Sequence, residues 1–418
     1  MKRKIGILSL GCPRNLVDAE AIAGRLDAKK YSIVEDISCA QVVLVNTCAF
    51  IQEAKQESID VILDLVELKK QGKLEKIIVC GCLAQRYKNL AKELPEVDAF
   101  VGAPGLNHES KRFPLTPKHY AYLKICEGCV NQCSYCAIPG IKGRIKSLDQ
   151  STIIRSVERF NREKISELNI IGQDITGFGL DLSGQSQLIS LLQRIISKAP
   201  DIGWIRLLYL YPQRVTGQLL ELIAASTQVC KYIDLPIQHI NNRILKAMNR
   251  AITREEIIAL IKKIRKIIPG VYLRTSLIVG FPSETESEFN DLLEFVKEAR
   301  FDRLGAFVYS REEGTRAYNF KGQIPQPLKQ ERFNKIMSAQ RQVAALVNAK
   351  FIGCIIPVLV EEEQDGAYIG RSQGDAPEVD GEVFIKTKQP LEIGKFIQVK
   401  ITDTLEYDLV GEPVSSWR

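Results

Sequence analysis

The segment KICEGCVNQCSYCAIPG carries Cys129, Cys133 and Cys136 in a CxxxCxxC spacing. Thiolates are the natural ligands of iron-sulfur clusters, and closely spaced cysteines on one loop can wrap a single cluster. Three thiolates leave one iron of a four-iron cluster open. That iron can chelate the amino and carboxylate groups of S-adenosylmethionine (SAM), and inner-sphere electron transfer then breaks a carbon–sulfur bond to give an adenosyl radical. The competing use is a structural zinc loop, which needs four ligands. Cys126 offers a fourth through CxxCxxxCxxC, but no paired CxxC or His cluster accompanies the run, as a zinc ribbon or finger requires. The radical chemistry is therefore preferred.

Other residues fit a SAM pocket. Tyr135, between the last two cysteines, is an aromatic that can lie beside the cluster. The run TSLIVGFPSETESEF resembles the GxIxGxxE strand of radical SAM enzymes, in which backbone near the glycine, here Gly280, approaches the adenine. Gln173 and Asp174 end one strand-like run and Gln238 and His239 another, so polar groups are expected at the mouth of a barrel. Each of these, taken singly, reads equally as a cap or turn residue.

Three further cysteines recur at one offset. The runs KIGILSLGC, QVVLVNTC and KIIVCGC lead to Cys12, Cys48 and Cys82. Parallel strands bring their carboxyl ends to one edge of a sheet, where open α/β folds place ligands. The three thiolates are thus expected to converge on a second cluster. Read one at a time, each is a small buried hydrophobe. Cys39, Cys80, Cys230 and Cys354 are expected to be packing residues.

The elements that must position these groups fall into three sections. Over residues 1–112, short β-rich runs alternate with helix-like VDAEAIAGRLDA and EAKQESIDVILDLVELKKQ, which predicts a small parallel α/β sheet. The stretch GAPGLNHESKRFPLTPKH reads as a linker. Over residues 113–347, six strand candidates separated by helical stretches predict a partial (β/α)6 barrel with its chemistry at the carboxyl ends of the strands. A charged helix from about Pro327 to Asn348 leads to residues 348–418, where IIPVLVEE, EVFIKT and FIQVKITDT predict a small antiparallel β-barrel.

The 418 residues, 45% hydrophobic and 26% charged, describe an ordinary soluble globular chain of two or three domains. No apolar run reaches the length of a membrane span. The start, MKRKIGILSLGCPRN, lacks the apolar region and cleavage site of a signal peptide. A reducing cytoplasm is expected, where eleven cysteines serve metal or redox chemistry rather than disulfides. Charge is unevenly spread: Phe351 to Arg418 hold 13 acidic and 6 basic residues, and the rest of the chain 37 acidic and 51 basic.

A three-cysteine first section, a CxxxCxxC core and a small β-barrel tail together resemble the methylthiotransferases over essentially the whole chain. Within them SLGCPRNLVDAE, VNTCAF, GCLAQRY, HYAYLKICEGC, IGRSQGDAPEVDG and EYDLVG look like the RimO branch, and the tail resembles a TRAM domain. The resemblance implies methylthiolation of the β-carbon of an aspartate in small-subunit ribosomal protein twelve, with SAM and two 4Fe-4S clusters. Cys12, Cys48 and Cys82 would hold the auxiliary cluster, and Cys129, Cys133 and Cys136 the radical one. A reducing partner of flavodoxin or ferredoxin type is implied as well, and the residue pattern does not name a sulfur donor. Cys126 stands where the family usually has Ser, and Lys142 and Leu148 of KGRIKSLD stand where it has Arg, so no substrate contact is carried over to those places. The alternative is a tRNA adenosine methylthiotransferase. An RNA-gripping tail should be basic, whereas this acidic one suits the steering of a basic protein loop.

Overall fold

The computed structural model describes residues 2–105 and 112–414. The middle of the expected linker, residues 106–111, lies outside them. The first section is a five-stranded sheet in which Arg3–Ser9 pairs with Tyr31–Val34 and Val42–Thr47, and Lys76–Gly81 continues to Ala99–Val101. All pairs run parallel, and the Val-rich central strand Val42–Thr47 is buried at every residue, as a strand covered on both faces must be. The helix Pro13–Arg25 starts with Pro at its first position and follows Cys12 directly.

The six strands expected in the middle section all form: Tyr120–Lys124, Glu167–Ile171, Trp204–Leu207, Tyr232–Asp234, Tyr272–Val279 and Arg303–Val308. The first three and the last three make two parallel sheets. They join through main-chain contacts between the third and fourth strands, such as Leu210 N–H to the Asp234 carbonyl at 3.0 Å. The first and sixth strands remain edges, so the barrel is open. Two of its outer helices, Arg254–Ile267 and Glu286–Ala299, begin with reciprocal Thr–Glu capping boxes.

After the helix Gln326–Asn348, the tail closes into a five-stranded barrel. Four neighbouring pairs are antiparallel, and Val383–Ile385 runs parallel to Leu409–Pro413. The strands Ala367–Ser372 and Leu409–Pro413 are additions to the sequence reading. None of the helices among the described residues is long and apolar enough to cross a membrane.

The tail seats on the amino-terminal end of the large barrel, and the opening residue of every barrel strand touches it. Tyr120 Oη donates to Glu378 at 2.9 Å, Glu167 pairs with Arg371 at 2.5 Å, and Trp204 lies 4.7 Å from the Phe396 ring. Tyr232 Oη donates to Asp380 at 2.6 Å, Tyr272 stacks on Phe351 at 5.7 Å, and Arg303 pairs with Asp375 at 2.5 Å. Four of the acids credited above with steering a basic partner, Glu361 on His119, Asp375, Glu378 and Asp380, are thus spent inward on the barrel, while Glu362, Glu363 and Asp365 remain exposed. Cys80 and Cys230 are buried as expected. Cys39 and Cys354 are exposed rather than packed: the first ends the short 3-10 helix Ile37–Cys39 beside the Asp36 carboxylate, and the second lies just before the strand Ile355–Gln364.

Candidate active site at the mouth of the barrel

The loop after the first barrel strand carries Cys129, Cys133 and Cys136. Gly128, at φ +71°, starts it; a Cβ there would stand 2.7 Å from the Gly143 carbonyl. Asn131 donates to Cys129 Sγ from both its backbone N–H and its side-chain amide, each at 3.4 Å. The same amide donates to Asp174 at 2.8 Å, and Arg214 holds Asn131 Oδ1 at 2.7 Å and pairs with Asp174. Arg250 reaches the Tyr135 hydroxyl at 3.4 Å, with Cys133 Sγ at 3.9 Å. Burial pushes Cys129 up to about 11, with Asp174 and Cys133 adding to it, and Cys136 to about 12, with Cys133 and Cys129 adding. In both, burial dominates and the charge of neighbouring thiols adds to it.

Cys126 is set into the core. Its side chain is fully buried in the barrel core, against Gly172, where a Cβ would stand 2.7 Å from its sulfur. Among the described residues no three His, Cys, Asp or Glu side chains converge closely enough to hold one metal ion. A four-iron cluster instead takes each thiolate on a separate iron. The all-thiol donor set matches such soft, polynuclear iron.

Cys12, Cys48 and Cys82 lie at the carboxyl ends of three parallel strands. Gly11, at φ +87°, separates Cys12 from Cys48; a Cβ on it would stand 2.8 Å from Cys48 Sγ. Gly81, at φ +95°, does the same before Cys82, with the Thr47 carbonyl 2.6 Å from any added Cβ. Asn15 ties the edge together. Its side-chain amide donates to the Leu10 and Thr47 carbonyls at 3.0 Å each, and its oxygen accepts from Cys82 Sγ at 3.7 Å. Burial pushes Cys82 up to about 12; Lys142 opposes this, and the charges of Cys48 and Cys12 add to it. Cys12 differs. Burial works against ionisation, yet Arg14 and the N–H groups opening the helix hold its thiol below the ordinary value.

The first section caps the mouth of the barrel. Arg14 donates to the Gly172 carbonyl, just past the second barrel strand, at 3.1 Å. On the opposite side Arg86 pairs with Glu312 at 2.7 Å. Beneath the cysteine loop, Lys142 pairs with Asp18 at 3.1 Å and Glu127 at 2.6 Å, and Lys124 joins the same two carboxylates, all four side chains buried. Lys142 therefore works as an interdomain tie, and Leu148 packs in the core.

The remaining expected pocket residues divide. Asp174 bridges Asn131 and Arg214, and Gln173 Oε1 is buried without a partner. Gln238, at φ +72°, is half-buried at the end of the fourth strand, its backbone bonded to Ser276 and Ile278. His239 is turned inward rather than to the mouth: Nε2 meets Glu284 at 3.1 Å and Nδ1 accepts from Asn241 at 3.0 Å. Gly280 sends its N–H to Glu284, and a Cβ there would collide with Lys329. Sequence reasoning missed Arg14, Asn15, Asn131, Arg214 and Arg250. The first three adjoin cluster-type cysteines and could have been singled out, whereas Arg214 and Arg250 come from distant loops.

Three family models match the chain in this same order: Uncharacterized protein family UPF0004 over residues 4–102, the Radical SAM superfamily over 123–296 and the TRAM domain over 352–414. Among solved structures, the radical SAM methyltransferase TsrM from Kitasatospora setae shares the fold at TM-score 0.55 and 12% identity, over 88% of this chain and 80% of that one. Much nearer relatives carry the printed name ribosomal protein uS12 methylthiotransferase RimO. The one from Desulforamulus reducens is 46% identical over 98% of this chain and 99% of its own length. Those from Clostridioides difficile and Geobacter sulfurreducens are each 44% identical over 98% or more of both chains. With sequence, domain order and fold in agreement over the full length, this chain belongs to the RimO family and is a radical SAM methylthiotransferase.

Proposed function

We propose that the chain adds a methylthio group to the β-carbon of an aspartate in ribosomal protein uS12, small-subunit protein twelve, using SAM and two 4Fe-4S clusters. Cys129, Cys133 and Cys136 would hold the radical cluster and Cys12, Cys48 and Cys82 the auxiliary one. The reading is supported by Arg14, which donates to Cys12 Sγ in the first section and to the Gly172 carbonyl past the second barrel strand, joining the edge that carries one triad to the mouth that carries the other. The relatives' shared name supplies the substrate.

The bound groups would supply one-electron cleavage of SAM, hydrogen abstraction from an unactivated carbon, and a sulfur atom with its methyl group, chemistry no acid-base side chain can perform. The chain's own residues do the rest. Asn131, clamped by Asp174 and Arg214, fixes the Cys129 sulfur, and Arg250 sits beside Cys133. Asn15, Gly11 and Gly81 hold the second triad's backbone in register. The tail closes the far end of the barrel and the first section caps the mouth, which shields a reactive carbon from water.

Iron and sulfide analysis of anaerobically purified protein tests the cofactor assignment. About eight irons per chain are expected, and about four after Ala replacement of either triad. Loss of Cys129, Cys133 and Cys136 must also abolish deoxyadenosine formation. Mass spectrometry of uS12 and of tRNA from cells lacking the gene tests the substrate. A methylthio group missing from tRNA and retained on uS12 would overturn the reading.

A further inference from the structure

Each triad has an arginine at one of its sulfurs, and the two arginines lie on two tyrosines of one short segment. Arg14 Nε donates to Cys12 Sγ at 3.4 Å, Nη1 donates to the Gly172 carbonyl at 3.1 Å, and the guanidinium stands 4.4 Å over the Tyr209 ring. Arg250 Nη1 is 3.9 Å from Cys133 Sγ, Nη2 donates to the Pro236 carbonyl at 2.6 Å, and the guanidinium stands 4.6 Å over the Tyr211 ring. Tyr209 and Tyr211 flank Leu210 just past the third barrel strand.

Tyr209 is held at φ +65°, a left-handed conformation that costs a bulky aromatic residue energy and persists only where its surroundings enforce it. The enforcement is visible. Its N–H donates to the Asp234 carboxylate at 2.8 Å, its carbonyl accepts from Ile175 N–H at 3.2 Å, and Leu210 N–H donates to the Asp234 carbonyl at 3.0 Å. The turn thereby offers the Tyr209 ring to Arg14 and the Tyr211 ring to Arg250, the latter shared with Arg214 at 4.5 Å, and each guanidinium gains from the ring face in a low-dielectric setting.

We propose that the Tyr209–Tyr211 segment is a positioning element that sets the two triads against each other, with Arg14 as its arm on the auxiliary side. The inference rests on the assignment of both triads as cluster sites. Arg14 places a fixed positive charge and an N–H donor on the Cys12 sulfur while its other end grips the barrel. Donors and positive charge at a ligand sulfur stabilise the reduced, more negative state of a cluster and raise its potential. The same contact holds the auxiliary edge in register with the barrel mouth, where the substrate carbon must meet both sites.

The test compares full-length Arg14→Met, Arg14→Lys, Tyr209→Leu and, as a docking control, Arg86→Met. The auxiliary potential is followed by electron paramagnetic resonance in a background with Cys129, Cys133 and Cys136 replaced by Ala. Arg14→Met is expected to load iron and sulfide like the parent, to shift the potential downward, and in the otherwise intact enzyme to yield at least about 10-fold less methylthiolated uS12 per deoxyadenosine. Tyr209→Leu should shift the same way. Arg14→Lys should fall between, keeping the charge and losing the planar fork. An unmoved potential in Arg14→Met, an equal shift in Arg86→Met, or failure of both Arg14 variants to load the auxiliary cluster would overturn the proposal. An intact enzyme that makes deoxyadenosine and leaves uS12 unmodified would instead overturn the substrate reading, with the potential measurement still deciding the role of Arg14.

Discussion

Replacing Asp375 by Asn should loosen the tail from the barrel without unfolding the rest of the chain. Arg303, at the start of the sixth barrel strand, donates to Asp375 Oδ1 from Nε at 2.9 Å and from Nη2 at 2.5 Å, and Ser372 donates to Oδ2 at 2.6 Å. Their side chains are 6% and 1% exposed, so water cannot replace the lost partner. Breaking a buried ion pair from one side costs roughly 3–5 kcal/mol, because a desolvated charge is left behind. Asn keeps one acceptor oxygen, which places the cost near the lower end, about 3 kcal/mol. At about 1.4 kcal/mol per factor of ten, the opening equilibrium of the tail should rise by about two orders of magnitude. Native-state hydrogen exchange reads this directly: amides of Phe396–Thr404 should lose that much protection while those of Val42–Thr47 keep theirs. Because an apolar pair can fill such a site without a desolvation cost, Arg303→Met with Asp375→Leu should restore much of the loss. Unchanged tail exchange in Asp375→Asn would refute the reasoning and leave the tail a tethered arm, and equal loss in both regions would show global rather than local coupling.

Acid should act at the same interface. Burial alone would raise the Glu361 carboxyl, but the hydrogen bonds from His119 and Arg371 outweigh it and hold it at about 2, below its ordinary 4.5. Its stabilisation is therefore complete above pH 4.5 and is lost as pH falls through about 2. Tail exchange in the parent should climb over that window, and Glu361→Gln should flatten the climb. Cys126→Ser should retain the parent's iron count, since that sulfur faces the core; loss of iron would return Cys126 to the ligand set. Asn131→Ala removes one of the two hydrogen bonds on the Cys129 sulfur and should lower SAM cleavage about 10–100-fold, as outer-sphere partners of metal ligands do. Asn15→Ala strands the buried Thr47 carbonyl, at about 1–3 kcal/mol, and the part-buried Leu10 carbonyl at less, and should show as iron lost from the auxiliary site in protein lacking the other three thiols.

Much of this protein could be read from its residues in order. The CxxxCxxC loop, the recurring strand-to-cysteine offset and the six βα repeats are local signals. Each depends on spacing along the chain, and parallel strands convert a shared offset into a shared edge. Other features could not be read in this way. The tail's net negative charge was legible, but its use was not, because only the fold reveals that Asp375 and Asp380 face Arg303 and Arg274. His239 looked like a mouth residue by position, and a buried carboxylate 45 residues away turns it inward.

The sequence by itself determined the family and the order of the three sections, and it offered six thiols as candidate iron ligands, since these depend on residue type and short-range spacing. Only the tertiary structure decided which groups stand behind those thiols. Arg14 meets Gly172, Arg214 meets Asn131 and Arg250 approaches Cys133 across gaps of 158, 83 and 117 residues. Contacts of that kind leave no periodic trace in a chain, because they arise where separately folded elements pack, and packing is a property of surfaces rather than of neighbours in sequence.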